Sequence, residues 1–320
     1  MAKVMSISGF TMVKNASKLY YPIRASIESI LPIVDEYVVA LGDCDEDDRT
    51  EQEILSIGSD KIRIIHTKWD LDKYSNGTEN AHQTDIAKEA CSGDWLFYLQ
   101  ADEVVHEKDH ASILKRCADL LDDREVEGLL FKYIHFWGDY RHHQVAHGWY
   151  PREIRIIRND PEIHSWESAQ SFRRIPGFDY VNYRQQRGTY KLKVAQVNAH
   201  IYHYGWVRPP HYMQNKRKAL DTIHKGSEKV SAMYAGQKDE FDYGPLKLAN
   251  RYRGSHPAVM QEWIKAFDWG EKLYEEGPIP QNRNKFKHEK LKYRLITIIE
   301  QGLLGGRSLG GFKNYELLKR

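Results

Sequence analysis

The stretch Gly93-Asp94-Trp95-Leu96-Phe97-Tyr98-Leu99-Gln100-Ala101-Asp102-Glu103 narrows what this chain can fold into. Residues 95–99 are an apolar run of the right length for a strand buried on both faces, the kind found inside a parallel sheet. A turn residue opens the run and two carboxylates end it. Such a strand delivers Asp102 and Glu103 to the carboxyl-end rim of its sheet, where open α/β folds bind ligands. A pair of acids at that rim suits a divalent cation, because hard cations take carboxylate oxygens.

The preceding residues build the same sheet. Residues 4–11 read as a first strand. A helix follows, with Ile23, Ile27, Ile30 and Leu31 at helical spacing and Pro32 stopping it. Residues 36–41 are a second strand running into Asp43-Cys44-Asp45-Glu46-Asp47-Asp48. Residues 61–66 are a third, and a helix spans about 79–91. This β-α alternation predicts a parallel sheet with right-handed crossovers. Its carboxyl edge gathers Thr11, Asp43, Asp102 and Glu103. Asp43, first after its strand, is placed to accept hydrogen bonds from a base or ribose, as acids do at strand ends of dinucleotide folds. The other acids of that turn are read as solvated and as capping the helix near Thr50.

A helix to about residue 121 and a strand-like run at 126–136 come next. Residues 138–148 read as a surface loop rich in histidine (His142, His143, His147), with no specific metal-ligand spacing. Residues 150–158 and 190–197 alternate as half-exposed strands and add antiparallel pairing. Past Pro209-Pro210 helical patterns dominate, at 212–224, 257–267 and 286–304. The expected organisation is an α/β part over 1–206 and a helical extension over 207–320. In the last helix Leu291, Leu295, Ile298 and Ile299 share one face, and nine Lys or Arg stand against three Glu from Lys285 onward. The expected arrangement packs that apolar face on the domain with the basic side in solvent. The alternative is attachment to an anionic membrane surface.

Composition excludes several classes. A formal net charge of +2 argues against nucleic acid as a partner. No apolar run approaches the roughly 20 residues that span a bilayer. Residues 4–13 are too interrupted by Ser6, Ser8 and Thr11 for a signal peptide. Three cysteines without CxxC spacing support neither a disulfide framework nor a zinc site, and the expected compartment is the cytoplasm.

Three pieces of this sequence resemble the inverting glycosyltransferases of family 2, which have the GT-A fold. They are Ser8-Gly9-Phe10-Thr11-Met12-Val13-Lys14-Asn15, then Val34-Asp35-Glu36-Tyr37-Val38-Val39 with the Asp-rich turn, then Gly93-Asp94-Trp95 through Gln100-Ala101-Asp102-Glu103. The last stands where the family has its Asp-x-Asp metal motif, with Gln100 in place of the first acid. The resemblance covers roughly residues 4–206. It implies a nucleotide-sugar donor, a Mg²⁺ or Mn²⁺ ion on Asp102 with Glu103 assisting, and a late histidine ligand, His203. Thr11 and Asp43 would receive base and ribose. Gln83, Asp85 and Gln100 would lie by the diphosphate and sugar, and Arg155 would meet the diphosphate or pair with a neighbouring acid. The catalytic base would be Glu167, with Glu153 as fallback, and the acceptor a growing surface glycan or lipid-linked saccharide; the basic last helix would place the chain in the cytoplasm or at the inner face of the membrane. Two other readings stand beside it: a nucleotidyltransferase, and a non-catalytic nucleotide-sugar-binding protein, which Gln100 favours.

Overall fold

The computed structural model describes residues 5–279, 281, 283–306, 308–310 and 313–320; Val4, expected to open the first strand, lies outside them. Strands β1 (Ile7–Val13), β2 (Glu36–Leu41), β3 (Ile62–His66) and β4 (Trp95–Tyr98) lie in the order β3-β2-β1-β4, all parallel. Helices α1 (Ile23–Ile30), α2 (Thr50–Leu55) and α3 (Thr78–Glu89) connect them. The period of two along each strand explains the layering. Ile7, Tyr37, Val39, Trp95 and Phe97 pack with Ile23, Ile27 and Ile30 of α1 on one face. Phe10, Val38, Leu96 and Tyr98 pack with Ala87 of α3 on the other. Gly93 is required by proximity: a Cβ there would sit 2.7 Å from the Ser8 backbone nitrogen.

Beyond β5 (Glu103–Val105) and α4 (His110–Asp119) the sheet becomes mixed. β8 (Arg152–Arg158) runs antiparallel to β4 and to β6 (Gly128–Trp137), and β11 (Tyr190–Trp206) runs parallel to β6. β9 (Ile163–Trp166) and β10 (Ser171–Arg174) form a hairpin on β11. β5 pairs antiparallel with β11 and sets Glu103 opposite His203. The expected α/β class with a mixed sheet is therefore what forms. The expected histidine loop is not a loop. Gly138, at φ 75°, reverses the chain, and β7 (Asp139–Gln144) returns antiparallel to β6. Its His142 is buried against Asp139.

Residues 207–320 contain α5 (Pro210–Lys225), α6 (Ser227–Tyr234), α7 (Gln261–Lys265) and α8 (Leu291–Gly302). They also return to the sheet: β12 (Asn250–Arg251) pairs with β7 and β13 (Tyr315–Leu317) with β11. The expected packing of α8 holds for its basic residues, Lys292 and Arg294, which are exposed, and fails for its apolar face. The side toward the protein carries Tyr293, Thr297 and Glu300, where Glu300 is buried and accepts from His147 Nδ1 at 2.8 Å, while Leu291, Leu295, Ile298 and Ile299 are exposed. Two part-buried polar contacts on that side, Glu300 and Thr297 to His147, hold this orientation.

Candidate active site

The turn after β4 sets Asp102. Leu99 N–H donates to Phe10 O at 3.2 Å, Glu103 N–H donates to Gln100 O at 2.9 Å, and the Asp102 carbonyl accepts from Tyr204 N–H at 2.8 Å. The last bond ties the rim of the parallel strands to the end of β11. Asp102 is buried, and two cations from beyond β11 meet it. Lys216 of α5 places Nζ 2.9 Å from Oδ2 and 2.8 Å from the Gly205 carbonyl. Arg208, fully buried, holds Nη2 at 3.7 Å from the same oxygen, and that nitrogen has no hydrogen-bond partner among the described residues. Burial alone would raise the Asp102 pKa. The positive charges around it, Lys216 foremost, outweigh that and hold the carboxylate well below its usual range. Burial lowers Lys216 to about 8.

The histidines beside Asp102 form a directed chain. His135 Nε2 lies 2.8 Å from the Tyr150 carbonyl, which can only accept, so that nitrogen carries the proton. Burial pushes the His135 pKa down to about 3, so the ring is neutral and its Nδ1 is bare. That Nδ1 is 3.0 Å from His203 Nδ1, which must donate. Burial lowers His203 to about 4, so its Nε2 is left with a free lone pair, 3.7 Å from Asp102 Oδ1. Gly205 leaves room between them: a Cβ there would lie 2.3 Å from His203 Nε2 and 2.9 Å from Asp102 Oδ2.

Two lone-pair donors facing one another across a cradle kept open by a glycine fit a divalent cation. A metal-binding histidine characteristically donates its other ring N–H to a fixed acceptor, the part His135 takes here. Among the described residues no group of three or more His, Cys, Asp or Glu gathers as a metal site. Two protein ligands suit Mg²⁺, which is usually completed by waters and substrate phosphates. His135→Phe, which removes the acceptor for His203 Nδ1–H, is expected to weaken Mn²⁺ binding about 10- to 100-fold, while His135→Gln, which keeps an acceptor, retains most of it. Titration of the free Mn²⁺ signal by electron paramagnetic resonance reads both.

Glu103 is not available to a metal. Both its oxygens are taken by Arg155, at 2.7 and 2.8 Å, with Tyr133 Oη at 2.8 Å and Gln100 N–H at 3.1 Å. Arg155 is correspondingly fully buried between Tyr98 and Tyr133, and of its two expected roles it takes the pairing with an acid. Thr11 is also off the edge, its hydroxyl donating to Leu99 O at 2.6 Å inside the sheet. Asp85 is spent in bridging α3 to β9 through His164 Nδ1 and Ser165 N. Gln83 is buried and donates to Glu79, and its Oε1, like Glu79 Oε2, has no partner among the described residues. The Gln100 side chain donates to Ala169 O at 3.1 Å, tying the β9–β10 turn to the rim. Asp43 stays accessible, 44% exposed, bonded to Lys14 Nζ at 2.7 Å and to Trp69 N–H. The rest of its turn is not all solvated: Asp48 is buried and accepts from Ser17 and Thr50.

Glu153 and Glu167 line one cavity of about 420 Å³ with Trp149, Tyr150 and Trp166. Burial raises the pKa of Glu153, which accepts from Ser171 Oγ at 2.7 Å. Glu167 sits at φ 57° in the β9–β10 turn, a strained conformation for this residue type. A second cavity, of about 350 Å³, shares Trp149 and Tyr150 and reaches His135, His203, Trp206 and His288. Burial takes His288 down to about 4, against roughly 6.5 unfolded. Between pH 7 and 5 the unfolded chain binds a proton that the folded chain refuses. Stability therefore falls as pH falls, by about 2 kcal/mol from this group. Urea unfolding at the two pH values is expected to show that share removed in His288→Phe.

Lys216, Arg208, His135 and Gly205 were not singled out from sequence. Gly205 and Arg208 stand two and five residues after His203 and carried that much of a signal. Lys216 and His135 carried none, since pairing with residues over 60 positions away is set only by the fold.

No family model matches the chain, and no curated protein matches it. Solved structures do. Glucosyl-3-phosphoglycerate synthase from Mycobacterium tuberculosis, in complex with Mn²⁺, uridine diphosphate and phosphoglyceric acid, matches at 19% identity over 41% of this chain and 43% of its own, with a TM-score of 0.28. Mannosyl-3-phosphoglycerate synthase from Rubrobacter xylanophilus matches at 16% over 41% of each chain, with a TM-score of 0.29. S. aureus TarS matches at 14% over 72% of this chain and 43% of its own, with a TM-score of 0.35. The match thus spans less than half the length of each of these proteins. Similarity of this extent carries no activity, substrate or metal over to this chain.

Proposed function

We propose that the protein is a metal-dependent, inverting glycosyltransferase of the GT-A, family 2 kind, moving a sugar from a nucleotide-diphosphate donor to an acceptor hydroxyl. The observation that carries this reading is the Asp102–His203 pair facing across Gly205 at the carboxyl rim of β4. When bound there, Mg²⁺ or Mn²⁺ supplies positive charge against the departing diphosphate. Lys216 and Arg208 add fixed charge beside Asp102, already oriented and desolvated, which favours charge developing in the transition state. Lys14, Asp43 and Trp69 receive the nucleoside. Glu153, its carboxyl raised by burial, takes the acceptor proton; Glu167 is the other carboxylate of that cavity. Trp149 and Trp206 offer faces for sugar rings. Residues 1–206 form the transferase domain, and 207–320 an extension that completes the charge around Asp102. The acceptor is a surface glycan or lipid-linked saccharide at the cytoplasmic face of the membrane. Among the described residues no helix is long and apolar enough to cross one.

Calorimetry with UDP-, GDP- and dTDP-sugars, with and without Mn²⁺, tests the reading. At least one donor is expected to bind, and more tightly with the metal; binding of none in either condition removes the proposal. Gln100 supports the non-catalytic alternative only to this extent: its amide is engaged with Ala169 O and adds no charge to the metal site. Donor binding without transfer to any acceptor would favour that alternative.

A further inference from the structure

The outward face of α8 bears on a different question from the chemistry at Asp102. Leu291 is 68% exposed, Leu295 54%, Ile298 66%, Ile299 41% and, just past the helix, Leu303 80%. These residues recur at helical spacing and so form one continuous stripe. A contiguous exposed apolar patch marks a contact surface rather than ordinary solvent-facing surface. The helix cannot simply roll to hide it. Its opposite side is fastened by His147 N–H to Thr297 Oγ1 at 2.8 Å, by His147 Nδ1 to Glu300 Oε1 at 2.8 Å, and by stacking of His147 on Tyr293.

The charge around the stripe has one sign. Lys285, Lys287, Lys290, Lys292 and Arg294 are all exposed. By helical phase Arg294 borders the stripe and Lys292 lies within it, between Ile299 and Leu303. The acids among residues 285–306 are Glu289 and Glu300, and both are buried. Glu289 is held by Arg283 at 2.7 and 2.8 Å, and Glu300 by His147 and Leu309 N–H. A second copy docked about a two-fold axis would set these cations against their own kind, with no exposed acid from this segment to meet them. An anionic bilayer satisfies both parts, taking the leucines and isoleucines into the acyl boundary and the lysines and arginine among its headgroups.

We propose that α8 is a docking surface for an anionic lipid bilayer. The assignment stands without the transferase reading. It also has a consequence for the site. Lys287 and His288 before α8, and Gly306, Ser308 and Gly310 after it, line the two cavities that hold Trp149. Docking through α8 brings those lining residues to the bilayer surface, where a lipid-linked molecule would be presented.

Co-sedimentation of the full chain with vesicles of phosphatidylcholine alone, and with phosphatidylglycerol added, tests this. The chain is expected to pellet with the anionic vesicles, far less with the neutral ones, and to be released at about 1 M salt, where the screening length falls to about 3 Å. Leu295→Glu with Ile298→Glu is expected to abolish binding. Both sites are exposed, so the thermal midpoint should hold. Lys292→Gln and Arg294→Gln should each lower partitioning about fivefold. The proposal is overturned if the wild-type chain ignores anionic vesicles, or if the glutamate pair binds them as well as wild type. It is equally overturned if sedimentation equilibrium finds a dimer that the glutamate pair dissociates.

Discussion

Asp102→Asn is expected to abolish the metal-dependent part of nucleotide binding and to destabilise the fold by about 3 kcal/mol. The two effects have separate causes. The first is loss of the one carboxylate that faces His203 Nε2. The second is that Lys216 and Arg208 remain buried with their shared counter-ion gone, and breaking one side of a buried ion pair typically costs about 3–5 kcal/mol. The lower end applies, because Lys216, already near 8, can shed its proton. Adding Lys216→Met to Asp102→Asn should therefore restore part of the stability and none of the binding. Urea midpoints and Mn²⁺ titration of wild type, both single variants and the double variant separate the terms.

Glu103→Gln is expected to destabilise the fold as well but to leave binding intact. Glu103 and Arg155 are both without solvent exposure and joined by two short bonds. Neutralising the acid strands a guanidinium in the core between two tyrosine rings, and about 4 kcal/mol should be lost. Whatever fraction remains folded should bind Mn²⁺ and nucleotide as wild type does, since neither Glu103 oxygen is free for a ligand. Denaturant unfolding and calorimetry on the same sample check this. A Glu103→Gln protein of unchanged stability that has lost Mn²⁺ would reverse the roles assigned to these neighbouring acids.

That contrast shows how far the sequence carried. The apolar runs of β1, β2 and β4 are local, and they were legible together with their parallel order and the rim that receives Asp102. Local pattern could not tell Asp102 from Glu103. Their difference lies in β8, which supplies Arg155, and in α5, which supplies Lys216, both brought in by tertiary pairing. The place of His203 beside Asp102 was expected from a family resemblance, but its tautomer was not, because His135 and the Tyr150 carbonyl that fix it sit on other segments. Thr11 and Asp85 stood at the right places in the chain and face inward, a distinction of one residue in register or a fraction of a helical turn. For α8 the amphipathic period was plain, and the sequence favoured the wrong side as the inner one. A stripe of leucine and isoleucine marks a side to be covered without saying by what, and here two polar contacts to His147 set the orientation.

The most direct test is anomalous diffraction at the manganese edge from crystals grown with Mn²⁺ and a nucleoside diphosphate. The predicted result is an anomalous peak at the Gly205 cradle, within bonding distance of Asp102 and His203 Nε2, with the diphosphate completing its coordination. A peak held by Glu103 or by the acids between Asp43 and Asp48, or bound nucleotide with no peak at Asp102, would contradict it.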